Sequence, residues 1–207
     1  MTSRLSDMSD DELLDRFAAG EAAAFGVLLN RYQRPVFNFI ARNVRDGEAA
    51  TDLLQEVFAR VIQNAAEFRR SAKFSTWLYS IARNLCIDHM RRMSHRRHAS
   101  LDAGGGNGIA DSAASAPFVE RIALEQPDVD RSAAAGRLRN RITQAVENLP
   151  DEQREVFLMR QVQQMPFADI AIVVGVSENT VKSRMRYALE RLQEALAEFE
   201  DYARIEA

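Results

Sequence analysis

Apolar positions along this chain recur at the three-and-four spacing of helices. Leu13, Leu14 and Phe17 share one face, Gly20 interrupts, and Phe25, Leu28, Leu29 and Tyr32 resume the pattern, so residues 10–33 predict a helix pair. Pro35 predicts the start of another helix through Phe39 and Ile40. From Gly47, the stripe Leu53, Leu54, Val57, Phe58, Val61 and Ile62 predicts a further helix, whose other face carries Asp52, Gln55, Glu56 and Arg60. A loop over 64–72 then leads into a helix of mixed aromatic and basic character. Residues 10–97 therefore predict a compact bundle of about four helices.

The pattern lapses over 99–136, where GGGNG (104–108), many Ala and Ser, Pro117 and Pro127 predict a flexible linker with room for a short helix around 118–124. Leu138, Ile142, Ala145, Val146 and Leu149 restore the helical period until Pro150 ends it. Three more helical pieces come next, at about 151–162, 166–174 and 178–196. The predicted fold class is all-α: two small helical domains, 8–97 and 138–200, joined by a linker over 98–137.

The joint between the last two pieces is the more specific signal. Gly175 can adopt the positive φ of a tight turn, and Ser177 is a good N-cap for the final helix. Ala171 and Val181 flank it with small and branched apolar residues, which lets two helices pack closely at a steep angle. This is the pattern of a helix-turn-helix. Its second helix is expected to enter a major groove, offering Glu178, Asn179, Lys182, Ser183 and Arg186, with Arg184 adding a backbone contact.

Charge changes the picture of the first domain. The net charge of −3 argues against a nucleic-acid binder only if charge is evenly spread. Residues 1–56 carry ten acids against six bases, whereas Arg69, Arg70, Lys73, Arg83, Arg91, Arg92, Arg96 and Arg97 face a single acid, Asp88, in 69–98. That block is an electrostatic footprint for phosphate. Phe74, Trp77 and Tyr79 fall in the same stretch, and aromatic faces stack on unpaired bases while cations follow the backbone. A core role competes for two of the rings, since Trp77 shares a stripe with Ile81 and Leu85; Phe74, nearer the loop, is the better stacking candidate.

Other chemistries find little support. Neither GxxxxGK[ST] nor GxGxxG occurs, and GGGNG sits in a linker context, so no enzyme and no cofactor are expected. His89, His95 and His98 with Cys86 fit no zinc spacing, and basic neighbours repel a cation. No apolar run reaches eighteen residues, the N-terminus is acidic where a signal peptide is basic, and Cys86 is the single cysteine, so a cytoplasmic protein without membrane insertion is expected.

Two stretches together bring a resemblance. DLLQEVFARVIQNAAEFRRSAKFSTWLYSIARNLCIDHMRR (52–92) resembles region 2, and LPDEQREVFLMRQVQQMPFADIAIVVGVSENTVKSRMRYALERLQEAL (149–196) resembles region 4, of bacterial RNA polymerase sigma factors of the sigma-70 family, extracytoplasmic function (ECF) group. The resemblance implies that Asp52, Gln55, Glu56 and Arg60 dock on the β′ clamp helices of core RNA polymerase, with Phe58 left in the core. It implies that Lys73, Phe74 and Trp77, with the loop 64–72, capture flipped −10 bases, and that Arg83, Asn84, Asp88, Arg91 and Arg92 contact the −10 region or its upstream phosphates. Ser177, Asn179, Thr180, Lys182, Ser183, Arg184 and Arg186 are implied in reading −35 promoter DNA, the β flap is a further implied contact, and an anti-sigma factor is an expected partner. Tyr187 stands where many relatives have a basic residue, and RRSAK is more basic than the usual loop. A stand-alone helix-turn-helix regulator is the alternative, and an adaptor that binds polymerase but not DNA a second; the 52–97 block counts against the first and the basic helix against the second.

Overall fold

The computed structural model describes residues 5–68, 72–102 and 133–197, all helices and short connections. The N-terminal unit contains α1 (Asp10–Ala18), α2 (Ala22–Val44), α3 (Gly47–Asn64) and α4 (Phe74–Asp102), with a single 3₁₀ turn over Ala65–Glu67. The C-terminal unit contains α5 (Ala133–Glu147), α6 (Asp151–Phe157), α7 (Phe167–Val174) and α8 (Glu178–Leu196), with a wider π turn over Leu158–Val162 extending α6.

Local chemistry starts several of these helices. Ser9 and Glu12 form a reciprocal capping box on α1. The Asp46 carboxylate accepts from the amides of Glu48 and Ala49 at 3.0 and 3.1 Å and caps α3. The cap of α4 comes from elsewhere in the chain: the Phe74 amide donates to Asp11 Oδ1 at 3.0 Å, so an acid on α1 sits at the positive end of α4. Its neighbour Asp10 accepts from Arg31 at 2.6 Å and from the Tyr32 hydroxyl, fastening α1 to α2.

The helix expected to begin at Pro35 does not begin there, because α2 runs unbroken from Ala22 to Val44 with the proline inside. A mid-helix proline costs about 3 kcal/mol or more, through a lost amide donor and a ring clash. Leu28 before it and Val36, Phe39 and Ile40 after it are all buried, at about 1.5–3 kcal/mol per side chain, which outweighs the local cost. Ile62 is a second correction: its spacing puts it in the apolar stripe of α3, yet it is 49% exposed. Leu53, Val57, Phe58 and Val61 are buried as expected.

The helices α4 and α5 reach to Asp102 and from Ala133, into both ends of the expected linker. The short helix considered near 118–124, Arg69 and Arg70 in the loop, and most of the acidic tail lie outside the described residues. The C-terminal unit packs with α7 against α4 and α6 against α2, and buried apolar residues of both units belong to one cluster. Among the described residues, no helix is long and apolar enough to cross a membrane.

Candidate nucleic-acid interface

The first turns of α4 border a cavity of about 530 Å³. Arg60 and Asn64 at the end of α3, Phe68 after the 3₁₀ turn, and Thr76, Trp77 and Ser80 on α4 contribute to its wall. Trp77 is half-buried, tilted against Phe68 with centroids 4.9 Å apart and meeting Phe74 edge-on at 6.1 Å. A ring held by other rings on one side and open on the other is a preorganised stacking surface. Thr76 is 1% exposed, and its Oγ1 has no hydrogen-bond partner at this wall.

Phe74 departs from its expected place. It is 1% exposed, packed edge-on against Tyr32 at 5.4 Å, and it supports Trp77 from behind. The reason is its position as the first residue of α4, where the Asp11 cap draws the helix end onto α1 and α2. Tyr79 is core as well, edge-on to Phe39 at 5.3 Å, and burial raises its phenol well above the ordinary value. The accessible ring is therefore Trp77.

At about 100° per residue, Trp77, Asn84, Asp88, Arg91 and Arg92 share one face of α4. Asn84, Asp88, Arg91 and Arg92 are exposed along it, so a track runs from the cavity to the basic end of the helix. There a smaller groove of about 240 Å³ brings Arg92, His89 and Arg96 beside Asp52 of α3. Asp52, Gln55 and Glu56 are exposed, with Arg60 half-buried and paired to Glu56 at 2.9 Å. Arg83 points about 120° away from Trp77. It meets Glu155 of α6 through Nε at 2.7 Å and Nη2 at 3.2 Å. Lys73 reaches Asp169 of α7 at 3.1 Å.

The helix-turn-helix has the geometry its sequence predicts. Gly175 closes α7 with φ 75°, and Ser177 Oγ accepts from the Thr180 amide at 3.1 Å. Val181, Met185 and Ala188 bury one side of α8, leaving Asn179, Lys182, Ser183, Arg186 and Tyr187 on its open sides. Among the described residues Lys182 and Arg186 pair with residues of their own helix, Glu178 at 2.7 Å and Glu190 at 3.9 Å, and Arg186 lies over the Tyr187 ring. Such exposed pairs are weak and readily exchanged for phosphate. Arg184 is different, being largely covered and held by Glu152 at 2.7 Å.

Sequence reasoning took Phe68 only as part of the loop 64–72 and named neither Thr76 nor Ser80 as parts of the cavity wall. Thr76 and Ser80 stand four apart on α4, as Arg60 and Asn64 do on α3, so a search for polar i, i+4 pairs beside Trp77 finds them. Among the described residues no group of three or more His, Cys, Asp or Glu is placed to hold a metal ion. The Cys86 thiol is buried and pushed up to about 12, by burial first and Glu155 second, so it stays neutral.

Comparison with known proteins agrees with both halves. Family models for sigma-70 region 2 and sigma-70 region 4 match residues 28–97 and 139–192. The RNA polymerase sigma factor CarQ of Myxococcus xanthus is 32% identical over 187 residues, 90% of this chain and 97% of that protein. The chain belongs to the sigma-70 family, in its ECF group. The ECF RNA polymerase sigma factor SigM of Mycobacterium tuberculosis resembles this sigma factor to the same degree, 32% identical over 190 residues, 92% of this chain and 86% of that one. In fold, this sigma factor is similar to the sigma factor RpoE of Bartonella quintana, solved in complex with the anti-sigma factor NepR: TM-score 0.63, 22% identity, covering 84% of this chain and 96% of that chain.

Proposed function

We propose that this ECF sigma factor joins core RNA polymerase through the polar face of α3, captures unpaired −10 bases in the Trp77 cavity, and reads the −35 duplex with α8. The carrying observation is the pairing on one chain of two different readers. One is an open aromatic cavity continuing into a cationic helix, suited to single strands. The other is a basic, exposed helix face behind a glycine turn, suited to a major groove. Flipping a base out of the stack costs a few kcal/mol, which stacking on Trp77 offsets.

Core polymerase, at its β′ clamp helices and β flap, and promoter DNA are the partners in this reading. The protein works in the cytoplasm, where the polymerase is, and the nucleotide chemistry is the polymerase's, so the chain is not itself an enzyme. An anti-sigma factor is a further partner, supported by the solved complex of the similar RpoE with NepR.

Asp52 and Gln55 lie exposed on α3, outside its buried stripe. Changing both to Ala is expected to weaken polymerase binding about tenfold and to leave the melting temperature unchanged, since surface substitutions seldom move stability by more than ~0.5 kcal/mol. A pull-down titration beside a melt checks this; a matching fall in stability would mean the residues act on the fold. For α8, the variant with Lys182→Ala and Arg186→Ala is expected to weaken −35 duplex binding and lower its log–log salt slope by about 2, roughly 0.9 for each phosphate no longer neutralised. An unchanged slope removes both residues from the phosphate contacts.

The test of the whole reading is transcription in vitro from a promoter library with purified core polymerase, with and without this protein. Initiation that depends on the protein, at sites sharing −35 and −10 sequences, supports it. Duplex binding by the protein alone, with no added initiation, favours the stand-alone regulator.

A further inference from the structure

Tyr187 stands on the open side of α8, 46% exposed and outside the stripe of Val181, Met185 and Ala188 that buries the helix. Steps of four residues put Asn179, Ser183 and Tyr187 in one row along that side, and all three are exposed. The ring is braced. The Arg186 guanidinium carbon lies 4.8 Å from its centroid, and Glu190 lies 3.9 Å from Arg186 Nε, so cation and ring are held together on one side of the helix. Stacking uses the face of the guanidinium and leaves its in-plane N–H groups for phosphate. A basic residue in place of Tyr187 would be drawn to phosphate too, whereas a neutral ring gains nothing there. In the major groove the base pairs present donors, acceptors and one apolar group, the C5-methyl of thymine. A braced aromatic ring on the open row of a groove-reading helix matches that group.

We infer that Tyr187 is a specificity-determining residue of the −35 reader, its ring packing on the C5-methyl of a thymine while Arg186 holds the ring in place. The inference rests on the proposed −35 role of α8 and adds the chemistry of one base contact. The two neighbours divide the contact between them: Arg186 keeps its charge for the backbone, and Tyr187 reads a base. Burying one methyl in this way is worth about fourfold in affinity.

The holoenzyme assembled with core polymerase is titrated with a promoter duplex selected from the transcription library, in which each thymine of the −35 element is replaced, one at a time, by deoxyuridine. The replacement removes the methyl and keeps every hydrogen-bonding group of the base. The wild type is expected to bind one of these duplexes about fourfold more weakly than the thymine parent. Tyr187→Ala is expected to bind the two alike, and Tyr187→Phe to keep the difference. Neither variant is expected to change the salt slope or the melting temperature, since no charge is lost and the position is exposed. A flat deoxyuridine scan in the wild type, a selected element with no A·T pair, or a difference that persists in Tyr187→Ala overturns the methyl contact. Loss of the difference in Tyr187→Phe overturns it in favour of readout by the hydroxyl, and a lowered salt slope in Tyr187→Ala overturns it in favour of phosphate binding through Arg186. Failure of the −35 reading itself looks different: the library then yields no shared −35 sequence, and the variant with Lys182→Ala and Arg186→Ala keeps the wild-type slope.

Discussion

Replacing Trp77 by alanine is expected to slow promoter opening by about 10- to 100-fold and to leave −35 duplex binding unchanged. The magnitude comes from stacking, which contributes about 1–3 kcal/mol per base, against an extrusion cost of a few kcal/mol. Trp77 is the accessible ring of the cavity, whereas Phe74 and Tyr79 are enclosed in the core. Trp77→Phe is the control, because a smaller ring at the same place keeps a π-face and is expected to retain most of the rate. Opening is measured with permanganate footprinting or a fluorescent −10 base in a holoenzyme assay, and duplex binding by anisotropy on a −35 fragment. Equal loss in both assays, with the protein still folded, would sink the capture role. A Phe74→Ala variant should instead lose thermal stability, by about 3–5 kcal/mol, since it deletes a buried aromatic ring.

Arg154→Ala is expected to unfold the C-terminal unit. Arg154 is 1% exposed, the largest fully buried side chain among the described residues. Its Nη1 donates to the carbonyls of Glu147 at 3.3 Å and Leu149 at 2.9 Å, and its Nη2 pairs with Asp151 at 2.6 Å. The guanidinium thus fills the end of α5, where helix carbonyls have no partner of their own, and ties it to α6. Removing it leaves a cavity and two orphaned carbonyl acceptors, at about 1–3 kcal/mol for each acceptor. A helical unit of this size rarely holds more than about 3–5 kcal/mol in total. Amide exchange across residues 139–197 should therefore lose its protection, and −35 binding should vanish with it. Arg154→Lys is expected to rescue little, since an ammonium cannot serve three acceptors in the plane of a fork. Retained exchange protection in the alanine variant would show that α5 and α6 hold together by apolar packing alone.

Local features are the ones legible in the chain. The cap at Ser177, the turn at Gly175 and the stripe of α3 through Val61 announce themselves by spacing, because each depends on neighbours within one turn of helix. Pro35 misleads for the same reason: its local preference is to start a helix, and only burial on both sides of it keeps α2 whole. The exposed faces of α3 and α8 are legible from charge patterning, since a polar side opposite an apolar stripe has one place to go.

The sequence by itself determined the helices, their order, the helix-turn-helix and the membership of the sigma-70 family, since spacing, caps and matching residues are properties of short stretches. Tertiary structure decided which ring faces solvent, what caps α4, and what holds Arg83 and Lys73. Phe74 goes inside because Asp11, sixty-three residues away, pulls the start of α4 against α1. Glu155 and Asp169, seventy-two and ninety-six positions from their partners, set the charge around Arg83 and Lys73. Contacts between residues so far apart carry no periodic signal, because they depend on how finished helices pack and not on the step from one residue to the next.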